Sequence, residues 1–481
     1  MQASTTATKP LCVDLDGTLV ATDTTVEGLL EVLKAAPWRI FSLFAALFGG
    51  RPALKRYIAK NSRVDARTLP YREEVLSEMR RARAAGRPIV LITASDQSTA
   101  DAVGAHVDLI DEAIGTTSDV NLKAQRKADF LVERYGVGGF EYVGDSSADL
   151  PVWRAAGQAL MVAPSRGTQR RAEGAVPESR LLVTRPNKLR AAIKELRPHQ
   201  WAKNVLLFVP LYFAHQYGDL QLVLTVLMAF FSFSFAASSI YVLNDLVDLP
   251  SDRQHRSKRD RPLAAGTLSI PEGIALSASS FAVSMVLAVA FVNPKFVFVV
   301  LGYVALTTAY TFGLKQKMII DVLTLASLFT YRVMAGGVAA AIPLSEWLLA
   351  FSIFFFTSLA FVKRYSELIQ IKADGQLGIK GRNYVPADIP IIVAAGLSSG
   401  FLAVLVFALY INTPAIIDYY PRYQVLWGIC LVLVYWVMRI WFLAARGQMN
   451  DDPVLFAVKD RTSLVAGMVV VVCLMAARYL G

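Results

Sequence analysis

Cysteine and charge are what this sequence has least of. Its 481 residues hold three cysteines, Cys12, Cys430 and Cys473, far apart and without metal-ligand spacing. A disulfide-rich secreted scaffold is thereby excluded. Charged residues are 18% of the chain, against about a quarter in a soluble globular protein. The hydrophobic share is 54% and the mean hydropathy +0.43, which also excludes disorder. Acids are the scarcer charge, 38 against 49 bases, for a formal net charge of +11. In a soluble chain that excess can mark nucleic acid. Lysine and arginine gathered in membrane loops explain it more simply, and no nucleic-acid partner is expected.

The apolar residues are unevenly placed. Residues 1–200 read as a soluble polar domain, while 205–480 hold repeated runs long enough to span a bilayer. Nine such segments are expected, at 199–217, 220–243, 272–292, 295–314, 318–341, 345–362, 389–411, 423–445 and 464–480. With residue 197 inside, the loops at 244–271, 313–318, 363–388 and 446–463 are inside too. They carry fifteen cations, among them Arg253, Lys258, Arg261, Lys315, Lys363, Arg364 and Lys380, where the opposite loops carry only Lys295 and Arg422. The positive-inside rule predicts nine spans in the cytoplasmic membrane, with the soluble domain and its chemistry on the cytoplasmic side. Met1 to Pro10 is polar and Leu11–Leu15 is too short for a signal's apolar core, in keeping with that side.

Within residues 1–164, short apolar strands at Leu11–Leu15, Pro88–Thr93, Leu109–Ala113 and Glu141–Gly144 alternate with helical spacing at Tyr71–Ala85 and Lys123–Tyr135. This predicts an α/β domain with a parallel sheet wrapped by helices. The polar, basic and proline-containing stretch 165–187 reads as a linker, and 188–481 as the membrane domain.

The first strand ends in Asp14-Leu15-Asp16-Gly17-Thr18. Carboxylates at i and i+2 on an extended segment point the same way, toward one metal or substrate. A second strand ends in Thr93, a hydroxyl suited to a phosphate oxygen. A lysine follows, Lys123 or Lys127, and the last strand ends in Gly144-Asp145-Ser146-Ser147-Ala148-Asp149. In an open parallel sheet these strand ends meet in one crevice, a set that describes magnesium-assisted phosphoryl transfer.

Residues 11–164 resemble the haloacid dehalogenase-like (HAD) hydrolases. The resemblance implies Asp14 as the nucleophile, forming an aspartyl-phosphate, and Asp16 as the general acid/base. It implies Thr93 and the lysine as holders of the phosphoryl group, and Mg²⁺ held by Asp14, Asp145 and the carbonyl of Asp16. Residues 20–87 are then a helical cap. In it, Trp38–Phe48 is too short to span a bilayer; a buried cap helix is expected, with a membrane-surface helix as the rival.

In the membrane domain the clearest polar cluster is Asn244-Asp245-Leu246-Val247-Asp248-Leu249-Pro250-Ser251-Asp252-Arg253. Asn244, Asp248 and Asp252 are four apart and would share one helix face. Such a set suits Mg²⁺ bridging to a diphosphate, with cations downstream for phosphate oxygens.

The stretch resembles the first aspartate-rich motif of the UbiA superfamily of membrane prenyltransferases, which have nine helices. Over about 189–481 it is most similar to the polyprenyl-phosphate phosphoribosyltransferase branch. The similarity rests on Arg197-Pro198-x-Gln200-Trp201-x-Lys203-Asn204, the Asn244–Arg253 run, Arg261-Pro262-Leu263-Ala264-Ala265-Gly266 and Tyr310 to Lys315 with Asp321. It continues through Arg332-x-x-Ala335-Gly336, Lys363-Arg364-x-x-Glu367-Leu368, Asp451-Asp452-Pro453 and Asp460-Arg461. It implies Mg²⁺ at Asn244, Asp248 and Asp252, with Asp248 catalytic. It implies substrate contacts at Lys203, Asn204, Arg253, Lys258, Arg261, Tyr310, Lys315, Asp321, Arg332, Lys363 and Arg364. Ordinary UbiA enzymes carry a second Asp-x-x-x-Asp motif after the fourth span; here that loop has Asp321 alone, with Lys315 and Lys317. This tilts the donor from polyprenyl diphosphate toward phosphoribosyl pyrophosphate.

The expectation is a bifunctional enzyme. It transfers 5-phosphoribose from phosphoribosyl pyrophosphate to a polyprenyl (decaprenyl) phosphate, and its HAD domain removes the 5-phosphate. The alternatives are a UbiA aromatic prenyltransferase with an unrelated phosphatase, and a transporter or scaffold. The residues leave lipid length and oligomeric state open.

Overall fold

The computed structural model describes residues 9–479 apart from 63, 118–121, 177, 374–381 and 450–451; Lys380 and Asp451 lie outside the described residues. The chain forms two compact units, Met1–Leu196 with Val242–Leu276, and Arg197–Tyr241 with Ser277–Gly481.

In the first unit six parallel strands are ordered β3-β2-β1-β4-β5-β6: β1 Leu11–Val13, β2 Ile89–Asp96, β3 Glu112–Thr116, β4 Glu141–Gly144, β5 Gln158–Val162 and β6 Ser179–Val183. β1 is buried throughout, because both sheet faces are covered. Alternate residues serve opposite faces. Leu11, Val13, Ile89, Leu91 and Val143 pack with Val75, Met79 and Val103, while Cys12, Val90, Ile92 and Tyr142 pack with Leu131, Val152 and Trp153. The covering helices include α4 Glu73–Ala84, α5 Gln97–His106, α6 Gln125–Tyr135 and α7 Leu150–Ala155, while α1 Thr24–Ala35, α2 Ile40–Phe48 and α3 Gly50–Asn61 form the cap. Asp23 caps α1 by accepting from the Thr25 and Val26 amides, at 2.8 and 3.2 Å.

Two expectations need correction here. The stretch 165–187 is not a linker. Ser165 caps α8 Arg166–Glu173, and β6 pairs in parallel with β5. Its polar composition misleads because an edge strand with one open side need not be apolar. The segment Trp38–Phe48 is not a buried cap helix either: of α2 only Leu43 is buried.

The segment 242–276 folds with this domain. A helix Leu220–Val247 ends at Asp248, where Pro250 has no N–H for the Leu246 carbonyl, and Leu249–Gln254 continues. Val26 and Leu30 of α1 join Leu246, Leu249 and Leu263 in one apolar cluster. The Lys34 ammonium donates to the Val247 carbonyl at 2.8 Å. Gly266 has φ +69°, and a Cβ there would meet the Ala21 carbonyl oxygen at 2.3 Å.

Among the described residues eight helices are long and apolar enough to cross a membrane: Leu220–Val247, Ile270–Phe291, Pro294–Phe312, Ile320–Ala340, Glu346–Ala373, Pro386–Ile411, Tyr423–Ala445 and Arg461–Tyr479. The expected first span, 199–217, is instead a 3₁₀ run Pro198–Phe208 and a short helix Val209–Phe213. Pro198 and Pro210 lack N–H donors, and Trp201 and Asn204 are tied to Ser238 and Ser234, both at 2.9 Å.

Gly266→Ala is expected to destabilise the first unit by about 1–3 kcal/mol, through strain and the backbone clash. Gly138→Ala, where φ is +74° but nothing lies within 4 Å, carries the strain alone. Thermal unfolding of the two variants compares them, and equal losses would mean that the contact with Ala21 adds nothing.

Candidate functional site

At the carboxyl ends of β1, β2 and β4 the sheet brings together the groups expected from sequence. Between Asp14 and Asp16 the chain leaves β1, and Gly17, at φ +78°, turns it where a Cβ would lie 2.4 Å from the Asp145 carboxylate. The Lys127 ammonium donates to Asp14 at 2.6 Å and to the Tyr142 hydroxyl at 3.0 Å. Lys123 is exposed. The structure therefore puts Lys127, not Lys123, against Asp14. Thr93 is fully buried, its hydroxyl accepting from the Ser95 amide at 3.0 Å. Asp16 accepts from the Ser95 hydroxyl at 2.5 Å and the Thr24 amide at 2.7 Å.

Carboxylate oxygens of Asp14, Asp145 and Asp149 lie within 4.8 Å of one another. Asp149 was not singled out in the sequence, although it stands four residues after Asp145. It accepts from the Asp145 and Ser146 amides at 3.2 and 3.0 Å and from the Tyr142 hydroxyl at 2.9 Å, so it holds the β4 turn. Asp14 and Asp145 are left to face a ligand. Burial pushes both carboxyls up, Asp145 to about 8 with the charges of Asp149 and Asp14 adding to the effect. Burial opposes the Lys127 charge, but Asp14 and Asp149 outweigh it and hold the ammonium above its ordinary value. Crowded hard oxygens with one ammonium are a donor set that fits Mg²⁺.

A cavity of about 490 Å³ opens at Asp145, at the edge of this cluster. Asp16, Gly17, Arg72 and Asp145 line one part of it; Lys188, Gly266 and Ser269 line another. The last three come from sequence beyond the strands of the sheet.

The aspartate-rich segment, in the same unit, is partly occupied. Asp252 is buried and paired with Arg261 at 2.5 Å and Lys258 at 3.6 Å, and Arg261 also reaches Asp245 at 3.0 Å. Backbone bonds of 2.9 Å from the Asp248 amide to Asn244 and from the Asp252 amide to Asp248 keep the helical register across the break. Among the described residues the Asn244 and Asp248 side chains have no partner. Arg253, expected at substrate, is a brace. It pairs with Glu27 of α1 at 2.6 Å and donates to the carbonyls of Thr68 and Ala264 at 3.3 and 3.1 Å.

In the second unit Lys203 and Lys363 converge on Asp452, at 2.8 and 3.4 Å, and hold its carboxyl well below the usual range against the effect of burial. Asn204 and Arg332 are bonded to each other at 2.9 Å and buried, with Arg332 also on the Tyr303 hydroxyl at 3.0 Å. Their bonds hold the bundle and leave little for substrate. Arg364 and Asp321 are both fully buried and paired at 2.6 Å; Tyr310 donates to Asp321 at 2.8 Å, and Arg364 also meets Glu367. Lys315 is half-buried on a short turn Leu314–Gln316.

The folds define the class first: a parallel α/β domain of HAD-like architecture joined to a helical, multi-pass membrane domain. A model of the UbiA prenyltransferase family matches residues 205–459, more than half of the sequence. The chain belongs to that family. An uncharacterized protein of Sinorhizobium fredii is 37% identical over 467 residues, 96% of this chain and 89% of that one. Nodulation protein NoeC of Azorhizobium caulinodans is 38% identical over 56% of this chain and 87% of its own. Decaprenyl-phosphate phosphoribosyltransferase of Mycolicibacterium smegmatis is 41% identical over 189 residues, 38% of this chain and 58% of that protein. A UbiA homolog from Archaeoglobus fulgidus, solved with GPP and Mg²⁺, is 16% identical at a TM-score of 0.45, covering 60% of this chain and 99% of that one.

Asp321→Ala leaves the buried Arg364 with Glu367 as its one remaining carboxylate, with an expected loss of about 1–3 kcal/mol. Adding Arg364→Leu should restore most of it. Thermal unfolding in detergent reads both, and a double variant as unstable as the single one would show that the pair is not the cause.

Proposed function

We propose that the chain is a bifunctional enzyme of the cytoplasmic membrane, its chemistry on the cytoplasmic side. The membrane domain transfers 5-phosphoribose from phosphoribosyl pyrophosphate to a polyprenyl phosphate, and the HAD-like domain removes the 5-phosphate from that product.

Similarity to the decaprenyl-phosphate phosphoribosyltransferases supports the first step, and so does the state of Asp321. Consumed by Arg364 and Tyr310, it does not stand as half of a second metal-bridging pair, which disfavours a polyprenyl diphosphate donor. In the transfer, a lipid phosphate oxygen attacks the anomeric carbon, forming that C–O bond as the bond to pyrophosphate breaks. Mg²⁺, when bound at Asn244 and Asp248, supplies charge stabilisation for the departing pyrophosphate. Arg261 and Lys258 neutralise Asp252 and offer cations to phosphate oxygens.

The single observation that carries the second step is the composition of the cavity. It is lined by Asp16 and Asp145 of the candidate phosphomonoesterase set and also by Lys188, Gly266 and Ser269 from the membrane domain's sequence. Asp14 attacks phosphorus, and Asp16 protonates the departing ester oxygen. Water then attacks the aspartyl-phosphate, giving its proton to Asp16. Lys127 holds Asp14 and neutralises the phosphoryl oxygens, and Thr93 receives one of them. Asp14, Asp145 and the carbonyl of Asp16 would hold Mg²⁺, which would supply further neutralisation there. Loss of the 5-phosphate makes the transfer hard to reverse, and tethering presents the product at high effective concentration.

Incubation with phosphoribosyl pyrophosphate, polyprenyl phosphate and Mg²⁺, followed by lipid mass spectrometry, tests both steps. Asp14→Asn is expected to leave the lipid one phosphate heavier than wild type does, and Asp248→Ala to give no ribosylated lipid. Identical masses from wild type and Asp14→Asn would end the coupling. Labelling of a quinone-precursor ring from polyprenyl diphosphate alone would end the transferase assignment.

Gly17→Ala, whose Cβ would displace the Asp145 carboxylate, is expected to weaken Mg²⁺ binding at the HAD site about 10-fold or more. Titration against Gly136→Ala, a left-handed glycine with nothing within 4 Å, separates displacement from backbone strain.

A further inference from the structure

Helix α2 carries Ile-Phe-Ser-Leu-Phe-Ala-Ala-Leu-Phe and turns most of it outward. Phe41 is 76% exposed, Phe44 58%, Leu47 50% and Phe48 94%, with Trp38 at 71% on the preceding turn. Leu43 alone is buried, seated on Val32 and Ile58. Phe41, Phe44 and Phe48 recur at i, i+3 and i+7, so the exposed rings form one stripe. Such a patch on a polar domain marks an interaction surface. At nine residues, about 14 Å long, the helix is less than half a bilayer's apolar thickness and cannot cross it.

The charge around the stripe selects the occupant. From residue 36 to residue 63 the sequence has Arg39, Arg51, Lys55, Arg56, Lys60 and Arg63, and no aspartate or glutamate. An apolar aromatic stripe within a wholly basic segment matches a bilayer surface bearing anionic headgroups. The rings enter the acyl boundary, tryptophan lies at headgroup level, and cations meet phosphate. The chain's own spans keep this domain tethered at a bilayer.

We propose that α2 inserts in the plane of an anionic membrane surface, anchoring the cap of the HAD-like domain to the lipid. This stands whatever ester the cavity accepts. It adds a lipid attachment to those the cap already has through Glu27, Lys34 and the cluster around Leu246.

The test uses the full chain in nanodiscs of phosphatidylcholine with phosphatidylglycerol, in a Cys473→Ser background. Cys12 and Cys430 are buried. Phe44→Cys or, as control, Ser98→Cys on the exposed side of α5 carries a bimane label. With brominated acyl chains, emission from position 44 is expected to fall by about half or more, and emission from position 98 to stay nearly constant. Equal quenching at both positions, or none at either, would overturn the proposal. Emission at position 44 that shifts to the blue without quenching would also overturn it, since it reports burial against protein, including a second copy. Quenching as strong in pure phosphatidylcholine would overturn the role of the basic segment.

Discussion

Burying carboxylates without leaving them uncompensated is the constraint on which both units are built. An ionised group taken from water must find a counter-charge or full hydrogen bonding, because removing one partner of a buried pair costs several kcal/mol. The molecule answers differently at each place. Asp14 has Lys127, while Asp149 is absorbed by turn amides and Tyr142. Asp252 has Arg261 and Lys258, Asp452 has two lysines, and Asp321 has Arg364 and Tyr310. Asn244 and Asp248 stand apart. They are only partly buried, they have no partner among the described residues, and they sit where Pro250 interrupts a helix.

The same reasoning separates bracing cations from those free to meet substrate. Arg253 lies next to Asp252 in sequence, yet its guanidinium is spent on Glu27 and two carbonyls. It fastens the aspartate-rich segment to the cap helix of the HAD-like domain, as Gly266 against Ala21 and the cluster around Leu246 do from other sides. A segment that reads in sequence as a membrane loop is thus part of the α/β unit. A cavity shared between β-strand ends and residues 266–269 follows from that packing.

Much of the fold was legible because hydrophobic period and length depend on little else. β1 and the start of β2 read as continuous apolar runs because both faces of the sheet are covered, and eight spans among the described residues declare themselves by length and apolar composition. The failures lie where local composition competes with tertiary context. The 165–187 stretch is polar because β6 is an edge strand, and the 199–217 run is apolar but follows Pro198, contains Pro210 and has polar side chains bonded to a neighbouring helix. α2 is apolar enough to look like core, although the domain has no interior left for it beyond the place of Leu43.

At the site, spacing along the chain identified Asp14, Asp16, Thr93 and Asp145, since strand ends of a parallel sheet must converge. It left Lys123 and Lys127 open. Only the start of α6 decided between them, by turning Lys127 inward and Lys123 to solvent. Asp149 stayed hidden for a similar reason: its work is to accept from turn amides, and no spacing rule distinguishes that from a solvent carboxylate. In the membrane domain, motif chemistry named Arg253, Asn204, Arg332 and Arg364 by residue type. Whether a guanidinium is free for phosphate depends on which acid or carbonyl reaches it first, and those partners stand as many as 226 residues away in the chain. Sequence therefore determined which residues can carry charge into a buried place, and three-dimensional packing decided which of those charges remain to be shared with a ligand.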